Sequence, residues 1–570
     1  MKDDPAGAQP QLRSMTVVAQ DPSVRDERSG QVVMGTVSVI REPLEPGPKG
    51  HRIHVVDYDA SSDRWRTPVS VPEDDPYAGR APERFLDDPH FHAWNCYAIS
   101  MATLRRFEFA LGRRLRWSFG GHQLKIAPHA FADANAFYSR QDESLLFGYF
   151  EGAAGTVYTC LAHDVIAHET AHALLDGLRE RYTDGSSHDQ AAFHEGFADV
   201  VALLSIFAMP GVVGRVLDLA DVSARREPRL VSRDDLSIAK LRNALLLMGR
   251  QLGKELAPAR GAALRDSTGI RPSPEPYRRS EEFKEPHRRG EILVAAMLNA
   301  FLEVWLARIG TLGMVRDGLV DRERVVEDGA AVADAMLTMS IRAIDYAPPV
   351  DLQFGDYVAA LVSADRELRP DDGTYRLREH IVGMFTKYGI PRPKDAARDW
   401  TWRPPDARLR YDGVHVESLR RDPDEVFRFL WDNRTGLGLD PRAYARVISV
   451  RPCVRVDPED GFTLQETVAE YFQMQTLRAD ELRRVGVRAP SGMPSDTQVT
   501  LYGGGALVFD EFGHLKYHVA KTFDGDALTE QVRHRWEDGE WSAERKAVRR
   551  FAEMHRLRST RVRLAEREEW

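Results

Sequence analysis

The sequence predicts an α+β protein, and three observations carry that prediction. Short alternating apolar segments between Arg52 and Val71, RIHVVDY and WRTPVSV, have the period of strands, whereas Phe91 to Leu111 sets apolar residues at helical spacing. From Leu236 onward the chain turns helical: Leu236 to Leu252, Ile292 to Ile309, Val325 to Ile344 and Tyr357 to Leu361 repeat apolar residues every three or four positions. Near the end, Val499 to Tyr502, Ala506 to Phe509 and Leu515 to Val519 alternate again between Gly503-Gly504-Gly505 and Glu511-Phe512-Gly513, which predicts an antiparallel meander.

The chain of 570 residues exceeds what one hydrophobic core supports, so it divides into domains. Residues 1 to 50, rich in Pro, Gly, Asp and Arg and without periodicity, read as a disordered or loosely ordered arm. Residues 51 to 185 read as a mixed lobe, in which strand-like LRWSF and LKIAP follow the Phe91 helix. Asn135-Ala136-Phe137-Tyr138, a polar turn and Leu145 to Tyr149 then read as a hairpin. Residues 186 to 392 read as helical, with Pro391-Arg392-Pro393-Lys394 and Arg403-Pro404-Pro405 punctuating a linker over 393 to 410. Residues 411 to 570 read as a separate α+β domain of unknown function that closes on a charged, arginine-rich helix from Ala543 to Glu566.

The totals exclude several partner classes. Apolar content of 43%, charged content of 29% and a net charge of −9 describe an ordinary globular chain and select neither nucleic acid nor membrane. Cys96, Cys160 and Cys453 are far apart without a CxxC spacing, so neither a disulfide framework nor a thiolate zinc site is expected. The start, MKDDPAGAQPQLRSMTVVAQDP, lacks the basic and apolar pattern of a secretory signal, which sets the expectation of a cytoplasmic protein. The apolar stretch from Val200 to Val213 is broken by Pro210-Gly211 and is too short to span a bilayer. Nothing in the sequence sets an oligomeric state.

The chemistry concentrates between Asp164 and Asp199. His168-Glu169-Thr170-Ala171-His172 lies within apolar Val165, Ile166, Ala173, Leu174 and Leu175, the composition of a buried helix. On a helix, positions i and i+4 share a face, so both imidazoles converge on one ion while Glu169 stands beside it. Glu195-Gly196-Phe197-Ala198-Asp199 repeats the i, i+4 spacing with carboxylates: one can bind metal and the other can orient a liganding imidazole. Two His and one Glu leave a fourth position for water, the pattern of a catalytic rather than a closed zinc site.

HETAH followed by EGFAD resembles the thermolysin-like gluzincin metallopeptidases, over roughly Pro82 to Ile390. The resemblance implies a two-lobed zincin, with a mixed α/β N-terminal lobe, a mainly helical second lobe and a substrate cleft between them. It implies one Zn²⁺ on His168, His172 and Glu195, with Asp199 behind a liganding imidazole. Asn135 and Ala136 fall where the family has an edge strand whose free backbone groups hold an extended peptide. Glu282-Phe283-Lys284-Glu285-Pro286-His287 precedes a long apolar helix, and the family carries a histidine there, steadied by an acid five residues earlier; His287 and Glu282 take those places. Tyr182 follows His172 at nearly the distance of the family's transition-state tyrosine, and Arg265 sits roughly where it has a substrate-binding arginine. His287 and Tyr182 would then stabilise the oxyanion.

The departures also inform. Asp164 matches one calcium-binding carboxylate of the family, but VVALLSIFAMPGVVG after Asp199 offers no acidic loop, so the sequence argues against calcium. His194 replaces an amide, which leaves the partner of His172 open, and His163, His188 and His194 read as helix-end or loop histidines rather than ligands. Fewer than about ninety residues precede the first clear helix, too few for a conventional inhibitory pro-segment. The expected function is a zinc-dependent endopeptidase acting on peptide or protein substrates, with Glu169 as general base. The alternative is a non-catalytic binding or regulatory protein that keeps this fold and works through its C-terminal domain. No GxMEN-type aminopeptidase signature is present.

Overall fold

The structure, a computed structural model, describes residues 12–25, 30–152, 155–224, 227–256, 267–373, 375–405, 408–457 and 460–541. It is α+β, as expected, but its first strands come earlier than the sequence indicated. β1 (Leu12–Val18) pairs antiparallel with β2 (Met34–Ile40). Met15, Val17 and Val39 are buried in the main core, and the indole of Trp94 donates to the Thr16 carbonyl at 2.8 Å. The loosely ordered arm is therefore corrected for these residues: MTVV is a short buried run and VSVI a short alternating one, and an average over a Pro- and Gly-rich stretch conceals both.

α1 (Pro89–Leu111) starts on the Asp88 side chain, which accepts from the His90 amide, and stops at Gly112 in the left-handed conformation. Against it lies a sheet of β3 (Ile53–Val55), β4 (Leu124–Phe131), β5 (Ala136–Ser139), β6 (Ser144–Gly152) and β7 (Gly155–Tyr158). The order is β3-β4-β6-β5, with β7 pairing the far end of β6; β5 is antiparallel to β6 and forms the edge. LRWSF, residues 115–119, is not a strand: Leu115 and Trp117 are buried anchors, and the Arg52 guanidinium stacks over the Trp117 ring at 5.2 Å.

The helices that follow are α2 (His163–Leu178), α3 (His188–Phe207), α4 (Pro210–Leu219), α5 (Ile238–Leu256), α6 (Pro286–Thr311), α7 (Arg322–Arg342), α8 (Phe354–Leu368) and α9 (Leu377–Lys387), the sequence having marked neither α9 nor α4 as a separate helix. Of the described helices, α6 alone has the length and apolarity to cross a membrane, yet 78% of its apolar window is buried inside the fold, where it packs on α3. The α3–α4 pair passes that test only when joined across an 87° bend.

His163 opens α2, and burial pushes its imidazole down to about 4 from an ordinary value of 6.5. Below 6.5 the unfolded chain takes up a proton that the folded state refuses until about 4. The contribution is therefore complete above 6.5 and drains as the pH falls through that window. Wild-type protein should lose about 2 kcal/mol from this group near pH 5, and His163→Gln should flatten that part of a urea-denaturation pH profile.

The C-terminal region is less separate than its sequence implied. Ala396, Trp400 and Trp402 are buried, and the Trp402 indole donates to the Tyr346 carbonyl at 2.9 Å, so the expected linker is packed against the body. α10 (Pro423–Asp432) precedes a four-stranded antiparallel meander of β8 (Tyr444–Val456), β9 (Thr463–Arg478), β10 (Gln498–Phe509) and β11 (Leu515–Lys521). α11 (Gly525–Glu537) follows. The two expected strands around Gly503-Gly504-Gly505 are one, β10. Gly504 has φ of +152°, and a Cβ there would lie 2.4 Å from the Tyr471 carbonyl oxygen of β9, so the glycine permits close strand approach rather than a turn. One face of the meander buries Leu507, Phe509 and Leu515 against Phe429 and Leu430 of α10, while Val508, Tyr517 and Val519 join the core of the preceding domain. The helix expected from Ala543 to Glu566 lies outside the described residues.

A chain of buried charges seals this junction. Arg113 donates to Asp345 (2.7 Å), Arg455 bridges Asp345 and Glu466, and Tyr346 and Lys516 also donate to Glu466, at 2.7 and 2.8 Å. Arg179, one residue past α2, pairs with Glu470 on β9, which also accepts from Arg451 at 2.6 Å.

Candidate metal centre

α2 and α3 are buried almost all round, and their apolar residues carry the interspersed His, Glu and Asp side chains into the core with them. His168, His172 and Glu195 are all buried, and one ligand atom from each lies within 4.8 Å of the others. The Nε2 atoms of His168 and His172 face each other at 2.6 Å, and the Glu195 oxygens stand 3.7 Å from the first and 3.5 Å from the second. Asp199, one turn after Glu195, accepts from His168 Nδ1 at 2.7 Å, as its spacing predicted. His172 Nδ1 meets His194 Nδ1 at 2.7 Å with the rings stacked, which answers what the sequence left open: His194 is the partner of His172. Since Asp199 takes the His168 Nδ1 proton in a hydrogen bond, the neutral ring turns a lone pair toward the centre. The same holds for His172 when it donates to His194. Two inward lone pairs and a carboxylate fit a divalent cation.

Glu169 is fully buried beside this group. Its Oε2 accepts the backbone amide of Tyr138 on edge strand β5 at 2.9 Å, and the Tyr138 hydroxyl bonds Asp176 farther along α2 at 3.0 Å. The edge strand is thus clamped along α2 at two points. Asn135 and Ala136 open that strand: the Asn135 side-chain oxygen accepts the Ala136 amide at 2.9 Å, and its carbonyl accepts from Gly148 at 2.8 Å.

α6 starts near the centre because glycine allows it to. A Cβ on Gly196 would sit 3.0 Å from the Gly290 carbonyl oxygen and 3.2 Å from Leu293 Cδ2, so α3 and α6 touch backbone to backbone beside Glu195. Asp189 at the start of α3 adds a tie, accepting from Arg289, from the Tyr277 hydroxyl (2.8 Å) and from the Phe354 amide (2.8 Å). His287 lies one turn before Gly290. Its steadying acid is corrected: His287 Nδ1 bonds Glu285 at 2.7 Å, whereas Glu282 accepts from Arg288 at 2.9 Å. Glu285 caps α6, accepting the Arg288 amide, and that geometry turns its second oxygen onto His287. Burial opposes its charge, but the His287 hydrogen bond and those of the cap hold the Glu285 carboxyl down to about 2. Gly196→Ala should cost about 1–3 kcal/mol through overpacking and weaken metal retention; a chelator competition titration measures the second effect.

Tyr182 does not join the group. It is buried, its hydroxyl donates to the Pro348 carbonyl at 2.7 Å, and its ring packs edge-on against Phe193. With its one proton spent there, the transition-state role is corrected to a core role. Arg265 lies outside the described residues. Sequence reasoning missed Glu285, His194 as a partner and the Gly196–Gly290 crossing; the signal for the first was its place immediately before Pro286, where a cap is expected. No model of a known protein family matches the chain, and no curated protein matches it.

Proposed function

We propose that this protein is a zinc-dependent endopeptidase of the thermolysin-like kind, with His168, His172 and Glu195 as ligands. The observation that carries the reading is the joint placement of that trio, the buried Glu169 and a strand at the edge of the sheet. Zinc held there would supply Lewis acidity, polarising a peptide carbonyl and easing the deprotonation of water. Glu169 would take that proton on a carboxylate oxygen and deliver it to the leaving amine. Asp199 and His194 keep the imidazoles turned inward, and Glu285 fixes the ring of His287, whose Nε2, when both ring nitrogens carry protons, would donate to the carbonyl oxygen as charge builds. An extended peptide lying along β5 would run beside Glu169; with the Ala136 and Tyr138 amides held by Asn135 and Glu169, the strand would offer it carbonyl acceptors. Calcium has no part in this reading.

The test is cleavage of a broad peptide library by zinc-loaded protein, with mass-spectrometric mapping of the cut sites and loss of cutting on chelation. Stoichiometric zinc without any cleavage would instead favour a binding or regulatory protein.

A further inference from the structure

A second group of ligand-type side chains lies outside this centre. His92 on α1, His129 on β4 and Cys160 in the turn between β7 and α2 are all buried, and one ligand atom from each lies within 4.8 Å of the others. His92 Nε2 contacts the Leu86 carbonyl at 2.6 Å; a carbonyl only accepts, so Nε2 carries the proton. His129 Nδ1 contacts the Asp57 carboxylate at 2.8 Å and likewise donates. The remaining nitrogens, His92 Nδ1 and His129 Nε2, face each other at 2.7 Å. With both rings neutral, these are two lone pairs pointed at one another in a dry interior, a repulsive arrangement unless a cation lies at their meeting point.

The group on α2 and α3 has this same arrangement: an outer nitrogen donating to a carboxylate, inner nitrogens 2.6 Å apart, and an anionic third ligand. The difference is chemical, since a thiol stands where Glu195 stands. The Tyr158 ring packs on both imidazoles, at 4.6 and 5.4 Å between centroids. The Cys160 backbone is anchored by its carbonyl, which accepts from Asn95 Nδ2 at 3.1 Å.

We propose that His92, His129 and Cys160 form a second, structural metal site for a zinc-class divalent cation, with Asp57 orienting His129. Two imidazoles and a thiolate suit a borderline-soft ion, with the thiolate as its anionic ligand and Asp57, which Arg66 also approaches at 3.7 Å, behind His129. The site ties α1, β4 and the turn three residues ahead of α2, so its metal would fix the entry of the helix that bears His168 and His172.

The test uses full-length protein, stripped by chelator and titrated with Zn²⁺ and separately with Co²⁺. Two equivalents should bind, and the cobalt form should show a thiolate-to-metal charge-transfer band, which a centre of two His and one Glu cannot give. Cys160→Ser should drop the stoichiometry to one equivalent and abolish the band, while Cys453→Ser should keep both. His172→Ala should lose the other equivalent and retain the band. Should Cys160→Ser fail to fold, the wild-type and His172→Ala titrations decide alone. One equivalent with no thiolate band, or a band that survives Cys160→Ser, overturns the proposal and leaves the cluster as imidazoles and a thiol sharing a proton. Because the band reports only the cysteine site, the outcome is independent of whether peptides are cleaved.

Discussion

Glu169→Gln is expected to lower kcat for peptide hydrolysis by about 10²- to 10⁴-fold while leaving zinc content at the wild-type level. The substitution suits the site: glutamine keeps an oxygen that can accept the Tyr138 amide now held by Glu169 Oε2, so the edge strand retains its clamp. What it removes is the basic oxygen, and with it the path for moving a proton from water to the leaving amine. A parallel measurement of KM separates this from a binding effect, since loss of positioning would raise KM as well. A Glu169→Gln variant that cleaved at more than about a tenth of the wild-type rate would sink the assignment of Glu169 as base.

The second large effect is on stability. Asp345→Asn should destabilise the protein by about 3–5 kcal/mol, because it leaves the guanidinium groups of Arg113 and Arg455 in the interior opposite a neutral amide. Asp345 is fully buried; burial opposes its charge, yet Arg113 and Arg455 hold the carboxyl well below the ordinary carboxylate range. Its contribution is therefore intact above the ordinary value of 3.8 and is lost only as the pH falls below it. The urea midpoint at neutral pH measures the effect. A loss under about 1 kcal/mol would mean that the network reorganises around the amide, at odds with the tight pairing seen.

How much of this was legible in the sequence depended on the range over which each feature is set. The convergence of the candidate ligands was legible because His168 and His172, and Glu195 and Asp199, are fixed relative to one another by helix pitch alone. The hairpin was legible from its alternation around a polar turn, whereas the edge position of its first strand came only from the family resemblance. His287 was placed by its position before an apolar helix, but its partner was misassigned, since capping geometry rather than a five-residue spacing selects Glu285 over Glu282. Tyr182 was misread because sequence distance from His172 says nothing of where a loop turns its side chain. The union of the C-terminal meander with the body was invisible: Arg113, Asp345 and Arg455 are more than a hundred residues apart, and no local pattern marks their pairing.

Arg179 gives that union a temporal meaning. The residue after α2 sits fully buried against Glu470, a carboxylate synthesised almost three hundred residues later. While a ribosome is still producing the intervening chain, the end of α2 lacks its counter-charge and has reason to stay open to water. The buried pairing at the end of α2 can therefore close only after β9 has emerged.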